Sequence, residues 1–247
     1  MRHSGPSPAR HRLSSWGRLV AVSACLVAGS ALILTAWWVA TRERQVATYN
    51  VRGALDGITL DLGAADAEIV GDPDRTAVQV RRTDRFAFGR RAVAEREATG
   101  GVLRLRSRCP STGFGTCSVA YRLTVPPNVP IAVRTSSGNV RIANFQGSAR
   151  IDTAGGDVDV AGFCGFLLLA RAQTGDVSAS ATCACERLEL RSRTGDVSAR
   201  VPPGRYRLDA DSNEGARRVR GLVAADDAPF QIQALSTAGD VEVGVLR

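Results

Sequence analysis

The stretch AQTGDVSASA, residues 172–181, returns almost unchanged as SRTGDVSARV, residues 192–201. Aligned on the glycine of each turn, further copies appear at intervals of 18, 19, 20, 20 and 24 residues. The glycines are Gly138, Gly156, Gly175, Gly195, Gly215 and Gly239. A period near twenty residues is typical of a solenoid, in which stacking buries the apolar face that no single unit can bury alone.

Apolar residues alternate with polar ones on both sides of each turn. In the Gly175 copy, Leu168 and Ala170 precede the turn, and Val177 and Ala179 follow it. Period-two alternation around a Gly-Asp turn indicates strand, turn, strand with one face buried. The sequence therefore predicts an all-β fold built as a stack of these repeats, with a β-meander sandwich as the alternative.

Two copies are irregular. In GITLDLGAADAEIVG, residues 57–71, Ala65 takes the place of the turn glycine. The Gly215 copy has Arg217 where the other copies have valine. Further strands are predicted in TAVQVRR, GVLRLRSR and VAYRLTV, and the one weak helical stripe is RAVAEREA, residues 91–98.

The N-terminal part predicts a membrane anchor. Residues 19–40 contain no charged side chain, and this run is long enough for a helix to span a bilayer. Residues 1–18 contain four arginines and no acid, so the positive-inside rule leaves this tail in the cytoplasm. The bulky Trp38 near the end of the run disfavours cleavage as a signal peptide. We expect a juxtamembrane linker at 41–56 and an extracytoplasmic β domain at 57–247.

The segment YRLTVPPNVPIAVRTSSGNVRI, residues 121–142, followed by the TGDV series, resembles a bacterial β-strand-repeat family of proposed adhesins. That family is defined by a domain of unknown function, DUF4097-like. The resemblance extends over about residues 58–245. It implies a right-handed β-solenoid-like fold on the cell envelope, behind a single membrane helix.

Five cysteines follow the predicted anchor, where an oxidising compartment allows disulfides. Cys109 and Cys117 bracket a short loop and are expected to pair. Cys164 and Cys183 each lie eight residues after a turn glycine, so stacked rungs would place their Cα atoms about 5 Å apart. Cys185 is either the alternative partner of Cys164 or a free thiol.

The residue types exclude several classes of enzyme. The two histidines, His3 and His11, lie in the N-terminal tail, and the sequence has no lysine. Ser-His-Asp or Cys-His catalysis and His-bearing zinc sites are therefore not expected beyond the anchor, and no cofactor is implied.

One acidic residue of each turn is expected to join a column along the stack: Asp157, Asp176 and Asp196, flanked by Asn139 and Asp240. Capping of the turns by these side chains is the favoured interpretation. Calcium bridging between the three aspartates is the second, and catalysis is the weakest.

A basic segment, RRTDRFAFGRRAVAER at residues 81–96, is the candidate contact region. The residues proposed to contact an anionic polymer are Arg81, Arg82, Arg85, Phe86, Phe88, Arg90 and Arg91. A solvated loop between two strands is the favoured interpretation of this segment, and contact with an anionic partner is the second. Outside a cell the anionic candidates are envelope polymers or a membrane surface rather than nucleic acid.

Two function classes follow. The first is a membrane-anchored, non-catalytic binding or adhesin-like module of the cell envelope. The second is a regulatory or assembly subunit of an envelope-stress system, whose partner is another envelope protein. A polysaccharide-active enzyme is a weaker alternative.

Overall fold

The structure is a computed structural model that describes residues 15–40, 42–53, 55–111 and 116–246. The chain divides into two units, Met1–Arg42 and Glu43–Arg247. The first unit contains helix α1, Ser15–Ala40. Within the described residues, no helix combines the length and apolar character needed to cross a membrane. Most of the predicted cytoplasmic tail, residues 1–14, lies outside the described residues.

The described residues of the second unit are almost entirely β-structure. The strands are β1 (Glu43–Val51), β2 (Gly57–Asp61), β3 (Asp66–Gly71), β4 (Val78–Phe86), β5 (Val93–Thr99), β6 (Val102–Arg108), β7 (Cys117–Val125), β8 (Ile131–Thr135), β9 (Val140–Ala143), β10 (Ala149–Gly155), β11 (Val158–Phe163), β12 (Leu167–Thr174), β13 (Val177–Ala181), β14 (Arg187–Thr194), β15 (Val197–Val201), β16 (Arg205–Ser212), β17 (Arg217–Arg220), β18 (Val223–Ala224), β19 (Gln231–Ala238) and β20 (Val241–Val245).

These strands form two ten-stranded sheets. Sheet A has the order β1-β4-β7-β3-β9-β11-β13-β15-β20-β17. Sheet B has the order β18-β16-β19-β14-β12-β10-β8-β2-β6-β5. One sheet-B strand, a turn and one sheet-A strand make a rung, such as β12–β13 or β14–β15. The repeat prediction is confirmed, and the meander alternative is wrong for the repeats because successive rungs pair in parallel.

The alternating pattern explains this stacking. Val158, Val177 and Val197 occupy equivalent register positions in β11, β13 and β15, and all three are buried. Their neighbours in sequence point to solvent on the outer face of sheet A. The degenerate copy also forms a rung, because β2 pairs with β8 and β3 pairs with β9.

The turn glycines are required for two reasons. Gly175 and Gly195 have φ of +122° and +144°, a region that favours glycine. Gly138 does not have a positive φ, but a Cβ there would overlap the carbonyl oxygen of Ala65 on the neighbouring rung. At Gly138 it is therefore the close approach of the neighbouring rung, and not the backbone conformation, that excludes a side chain.

The rungs are not stacked in the order of the sequence. The C-terminal rung β19–β20 lies between β14–β15 and β16–β17, pairing in parallel with both. The irregular Gly215 copy is thus the end of the stack. Arg217, which occupies a valine position, donates from Nε to the carbonyl oxygen of Ala210 at 2.6 Å. A polar residue is tolerated there because no further rung packs on it.

At the opposite end of the stack, the structure differs from two of the sequence predictions. Residues 43–51, expected within a linker, form β1, which pairs antiparallel with β4. The weak helical stripe is instead β5, which pairs antiparallel with β6. Both strands are almost wholly exposed, so neither carries the apolar alternation that signals a strand. Arg96 of β5 lies over the ring of Tyr49 in β1, 4.6 Å from its centroid, and covers this end of the core.

Candidate anion-binding groove

Strand β4 divides the predicted basic segment between two faces. Its burial pattern turns Phe86 into the core, where 3% of its surface is exposed, whereas Arg81 and Arg85 lie on the outer face of sheet A. The favoured interpretation as a solvated loop is wrong for residues 81–86, which are part of a paired strand, and is right for residues 87–92, which connect β4 to β5.

Arg82 points to the opposite face from Arg81 and is already engaged. Its Nε donates to Oδ1 of Asp84 at 2.7 Å, and one of its terminal nitrogens donates to the carbonyl oxygen of Ala92 at 3.2 Å. The side chains of Arg82 and Asp84 are only 17% and 15% exposed. Arg82 therefore supports the end of the sheet and does not join a contact surface with Arg81.

The loop after β4 also separates the predicted residues. Arg91 lies over the ring of Phe86, 5.2 Å from its centroid, and 3.7 Å from a carboxylate oxygen of Glu43. Arg90 donates to the carbonyl oxygen of Pro110 at 2.6 Å. Phe88 is exposed and has φ of +56°. Arg90 and Arg91 thus hold the loop in place, apart from the outer face of sheet A.

Two pairs of arginines stand directly opposite each other on that outer face. Arg81 of β4 is the register partner of Arg122 in β7, and Arg85 of β4 is the register partner of Arg44 in β1. Like charges in directly opposed positions of antiparallel strands are destabilising. Among the described residues, no carboxylate forms an ion pair with Arg44, Arg81 or Arg85.

Arg44, Arg81 and Arg122 border a shallow groove of about 410 Å³ on β1, β3, β4, β7 and β9, and Arg85 is the register partner of Arg44 beside it. Its polar lining consists of Arg44, Asp66, Glu68, Arg81, Thr83, Arg122, Asn139 and Arg141. Glu68 forms an ion pair with Arg122 and neutralises part of the charge. We call this the basic groove. Four arginines and two acids leave it with an excess of positive charge.

Of the arginines that line the groove, sequence reasoning found only Arg81; it also found Arg85, the register partner of Arg44. Arg44, Arg122 and Arg141 were missed because they lie on strands far apart in the sequence and meet only through sheet pairing. The available signal was their placement at outward positions of alternating strands, as in YRLTV around Arg122 and VRI around Arg141.

The acidic column is a continuous hydrogen-bond ladder along the turns. Oδ1 of Asp157 accepts the amide N–H of Asp176 at 3.0 Å, and Oδ1 of Asp176 accepts that of Asp196 at 2.8 Å. Two equivalent hydrogen bonds extend the ladder in the other direction: Oδ1 of Asn139 accepts the N–H of Asp157, and Oδ1 of Asp66 accepts that of Asn139. This geometry supports turn capping. Within the described residues, no group of three or more His, Cys, Asp or Glu side chains is arranged to hold a metal ion.

The ladder ends at the capping rung. Oδ1 of Asp240 accepts the amide N–H of Ala216 at 2.8 Å, and Oδ2 accepts from Arg218 at 2.8 Å. These two hydrogen bonds, the backbone bond first, hold the pKa of Asp240 below its usual value.

The cysteines pair as the stacked arrangement predicts. Cys109 and Cys117 form one disulfide with Cα atoms 5.8 Å apart, and Cys164 and Cys183 form the other at 5.0 Å. Cys185 is a free thiol and is buried, which raises its pKa to about 11.

One buried carboxylate lies on sheet B, away from the basic groove. The side chain of Glu189 is 2% exposed and contacts Arg171, Arg187 and Arg191 at 2.7, 3.2 and 2.9 Å. Burial alone would raise the pKa of Glu189, but the hydrogen bond from Arg171 and the three positive charges outweigh it and lower that pKa. Arg191 continues the network to Gln233, which donates to Asp209. The cluster connects side chains of four strands, β12, β14, β19 and β16.

The fold is similar to that of a solved structure. A crystal structure of a proposed cell adhesion protein from Clostridium sporogenes has a TM-score of 0.51 and 10% identity, and the match covers 83% of this chain and 100% of that one. A proposed adhesin from Bacteroides fragilis has a TM-score of 0.41 and 14% identity, with 82% and 97% covered. No curated protein matches the sequence. Residues 130–220 match the model of the Toastrack DUF4097 family, the family that the TGDV turns resemble.

Proposed function

We propose that the β domain is a non-catalytic, adhesin-like module that binds anionic polymers of the bacterial cell envelope through the basic groove. The observation that carries this proposal is that two pairs of arginines are register partners on neighbouring strands, Arg81 with Arg122 and Arg44 with Arg85. A bound anion would relieve the repulsion within each pair. Arginine suits this role because its planar fork matches phosphate and carboxylate oxygens.

The spacing of the two pairs favours a polymer over a single small anion. Arg81 and Arg85 lie four residues apart on the same face of β4. At about 3.3 Å per residue, this separation is about 13 Å, beyond the reach of one phosphate or carboxylate group. A chain with repeated negative charges would contact both pairs at once.

The test compares two double variants that change the net charge equally. Arg81→Ser with Arg85→Ser removes one member of each opposed pair. Arg134→Ser with Arg150→Ser is the control, because both arginines lie on sheet B. Arg134 is the register partner of Asp61 and Asp152 on the two neighbouring strands, and Arg150 forms an ion pair with Asp152. Cosedimentation with isolated cell walls measures binding.

We expect the groove variant to bind at least about tenfold more weakly, the loss of about 1.4 kcal/mol, and the control to bind like the natural protein. Added salt should weaken binding of the natural protein, since exposed charges are screened beyond about 10 Å at 0.1 M salt. Equal binding by both variants would refute the proposal.

The proposal includes the membrane anchor at residues 19–40, with the N-terminus cytoplasmic and the β domain outside. Its support is the uncharged run and the arginines that precede it. Protease added to cells with opened walls should remove the β domain, whereas protection of the whole chain would contradict the topology. Right-handed winding of the stack is also proposed, since parallel crossover connections are almost always right-handed.

Replacing residues 19–40 with an unrelated membrane helix tests the regulatory alternative. A binding module should retain cell-wall binding after this exchange. If binding is retained but a cellular response is lost, the helix itself carries information to a partner, as the second function class requires.

A further inference from the structure

Each sheet ends in two edge strands, whose outer backbone groups have no neighbouring strand among the described residues. Sheet A ends in β1 and β17, and sheet B ends in β18 and β5. Such edges pair readily with another chain unless the sequence opposes it. The four edges of this protein differ in how strongly they oppose such pairing.

Three edges are protected. In β5, antiparallel pairing of two copies about Arg96 would place Glu95 directly opposite Glu97, and the two Arg96 side chains opposite each other. Strand β17 has the sequence RRVR, with three arginines in four residues. Strand β18 contains only two residues. Opposed like charges or insufficient length therefore disfavour pairing at all three.

The fourth edge, β1, has no such protection. It is nine residues long, with the sequence ERQVATYNV, and its central part is exposed. Antiparallel pairing of two copies about Ala47 aligns all nine residues. Arg44 then lies opposite Asn50, Val46 opposite Thr48, and Glu43 opposite Val51, so no like charges meet. Val46, 46% exposed in the single chain, would be covered.

We propose that β1 of one copy pairs with β1 of a second copy, antiparallel and centred on Ala47, to give a two-fold dimer. The pairing continues the antiparallel arrangement that β1 already has with β4. It joins the two A sheets edge to edge and places a basic groove on each side of the two-fold axis. Two linked sites would bind a polymer with greater avidity than one.

The test uses disulfide crosslinking in the full-length chain, in detergent, with Cys25→Ser to remove the exposed native thiol. In the proposed dimer the two Ala47 positions are directly opposite, with Cα atoms about 5 Å apart, which suits a disulfide. Ala47→Cys should therefore crosslink two copies under mild oxidation. Ala94→Cys, at an exposed position of the protected edge β5, should not.

A second pair of variants separates edge pairing from association through helix α1. Val46→Glu with Thr48→Glu places glutamates opposite each other in the dimer and should reduce crosslinking of the Ala47→Cys chain at least about tenfold. Val93→Glu with Thr99→Glu makes the same chemical change on β5, where both residues are exposed, and should leave crosslinking unchanged.

Two results would overturn the dimer: absence of crosslinking by Ala47→Cys, or crosslinking that persists with the β1 glutamates. Because crosslinking is measured without any polymer, this test stands or falls independently of the proposed binding function. Loss of cell-wall binding in the groove variant with an intact crosslink would support both proposals.

Discussion

Oδ1 of Asp196 accepts the backbone N–H of Asp240 at 2.8 Å, although the two residues are 44 positions apart. The equivalent contact between Asp176 and Asp196 joins residues only 20 apart. The turn ladder therefore follows the stack and not the sequence. It continues without a break through the position where β19–β20 lies between two earlier rungs.

The turn ladder predicts that the hydrogen-bond acceptor at residue 176 contributes more to the stability of the fold than the negative charge does. Asp176→Ala removes the acceptor for the N–H of Asp196 and should cost about 1 kcal/mol of unfolding free energy. Asp176→Asn keeps an acceptor, as Asn139 does naturally for Asp157, and should remain within about 0.5 kcal/mol of the natural protein. Urea unfolding measures both variants. If the Ala and Asn variants are equally destabilised, the carboxylate of Asp176 does not stabilise the protein by accepting this hydrogen bond.

The Glu189 cluster predicts a pH-dependent contribution to stability. Because the folded-state pKa of Glu189 is lowered from its ordinary value of 4.5, its contribution is complete above the unfolded pKa and is lost as pH falls through the folded pKa. Glu189→Gln leaves three arginines without their carboxylate and should cost about 3 kcal/mol at pH 7.

The difference between Glu189→Gln and the natural protein should shrink as the pH falls below about 4. Urea unfolding at pH 7, 5 and 3.5 measures it. Arg150→Ser is the control, since its ion pair with Asp152 is exposed and should contribute less than about 1 kcal/mol. A constant difference across this pH range would contradict the assignment.

The disulfide between Cys164 and Cys183 should stabilise the stack by restricting the unfolded chain. It closes a loop with a sequence separation of 19 residues, and replacing both cysteines with serine should cost about 3 kcal/mol. Thermal unfolding with and without reductant measures the effect. With reductant present, the natural protein and the variant should unfold at nearly the same temperature.

Cys185 should be unreactive in the folded protein. Burial raises its pKa to about 11, so only about one thiol in a thousand is ionised at pH 8. In the Cys25→Ser variant, iodoacetamide should label Cys185 in urea but not under native conditions. Rapid labelling of the native chain would show that the thiol is accessible.

The repeats could be predicted from the sequence because strand, turn and strand recur locally with period two. The order of the rungs could not be predicted. Leu188, for example, has an aliphatic register partner on each side, Leu168 in β12 and Ile232 in β19, and such residues do not distinguish one neighbouring rung from another. Arg217 was the available clue, because an arginine at a core valine position fits only the end of a stack. Strand β1 was missed because its sequence, ERQVATYNV, does not alternate regularly between apolar and polar residues. The basic groove was found in part, since Arg81 lies in the basic segment, whereas Arg44, Arg122 and Arg141 lie on strands that meet only through sheet pairing.

The insertion of β19–β20 between earlier rungs has a consequence for protein synthesis. When a ribosome has made the chain as far as β18, the rung β16–β17 has no neighbour in either sheet except this short strand. The stack can close only after β19 and β20 leave the exit tunnel. A chain that stops before Gln231 would expose the open edges of β14 and β15, so quality-control proteases should distinguish truncated chains from complete ones.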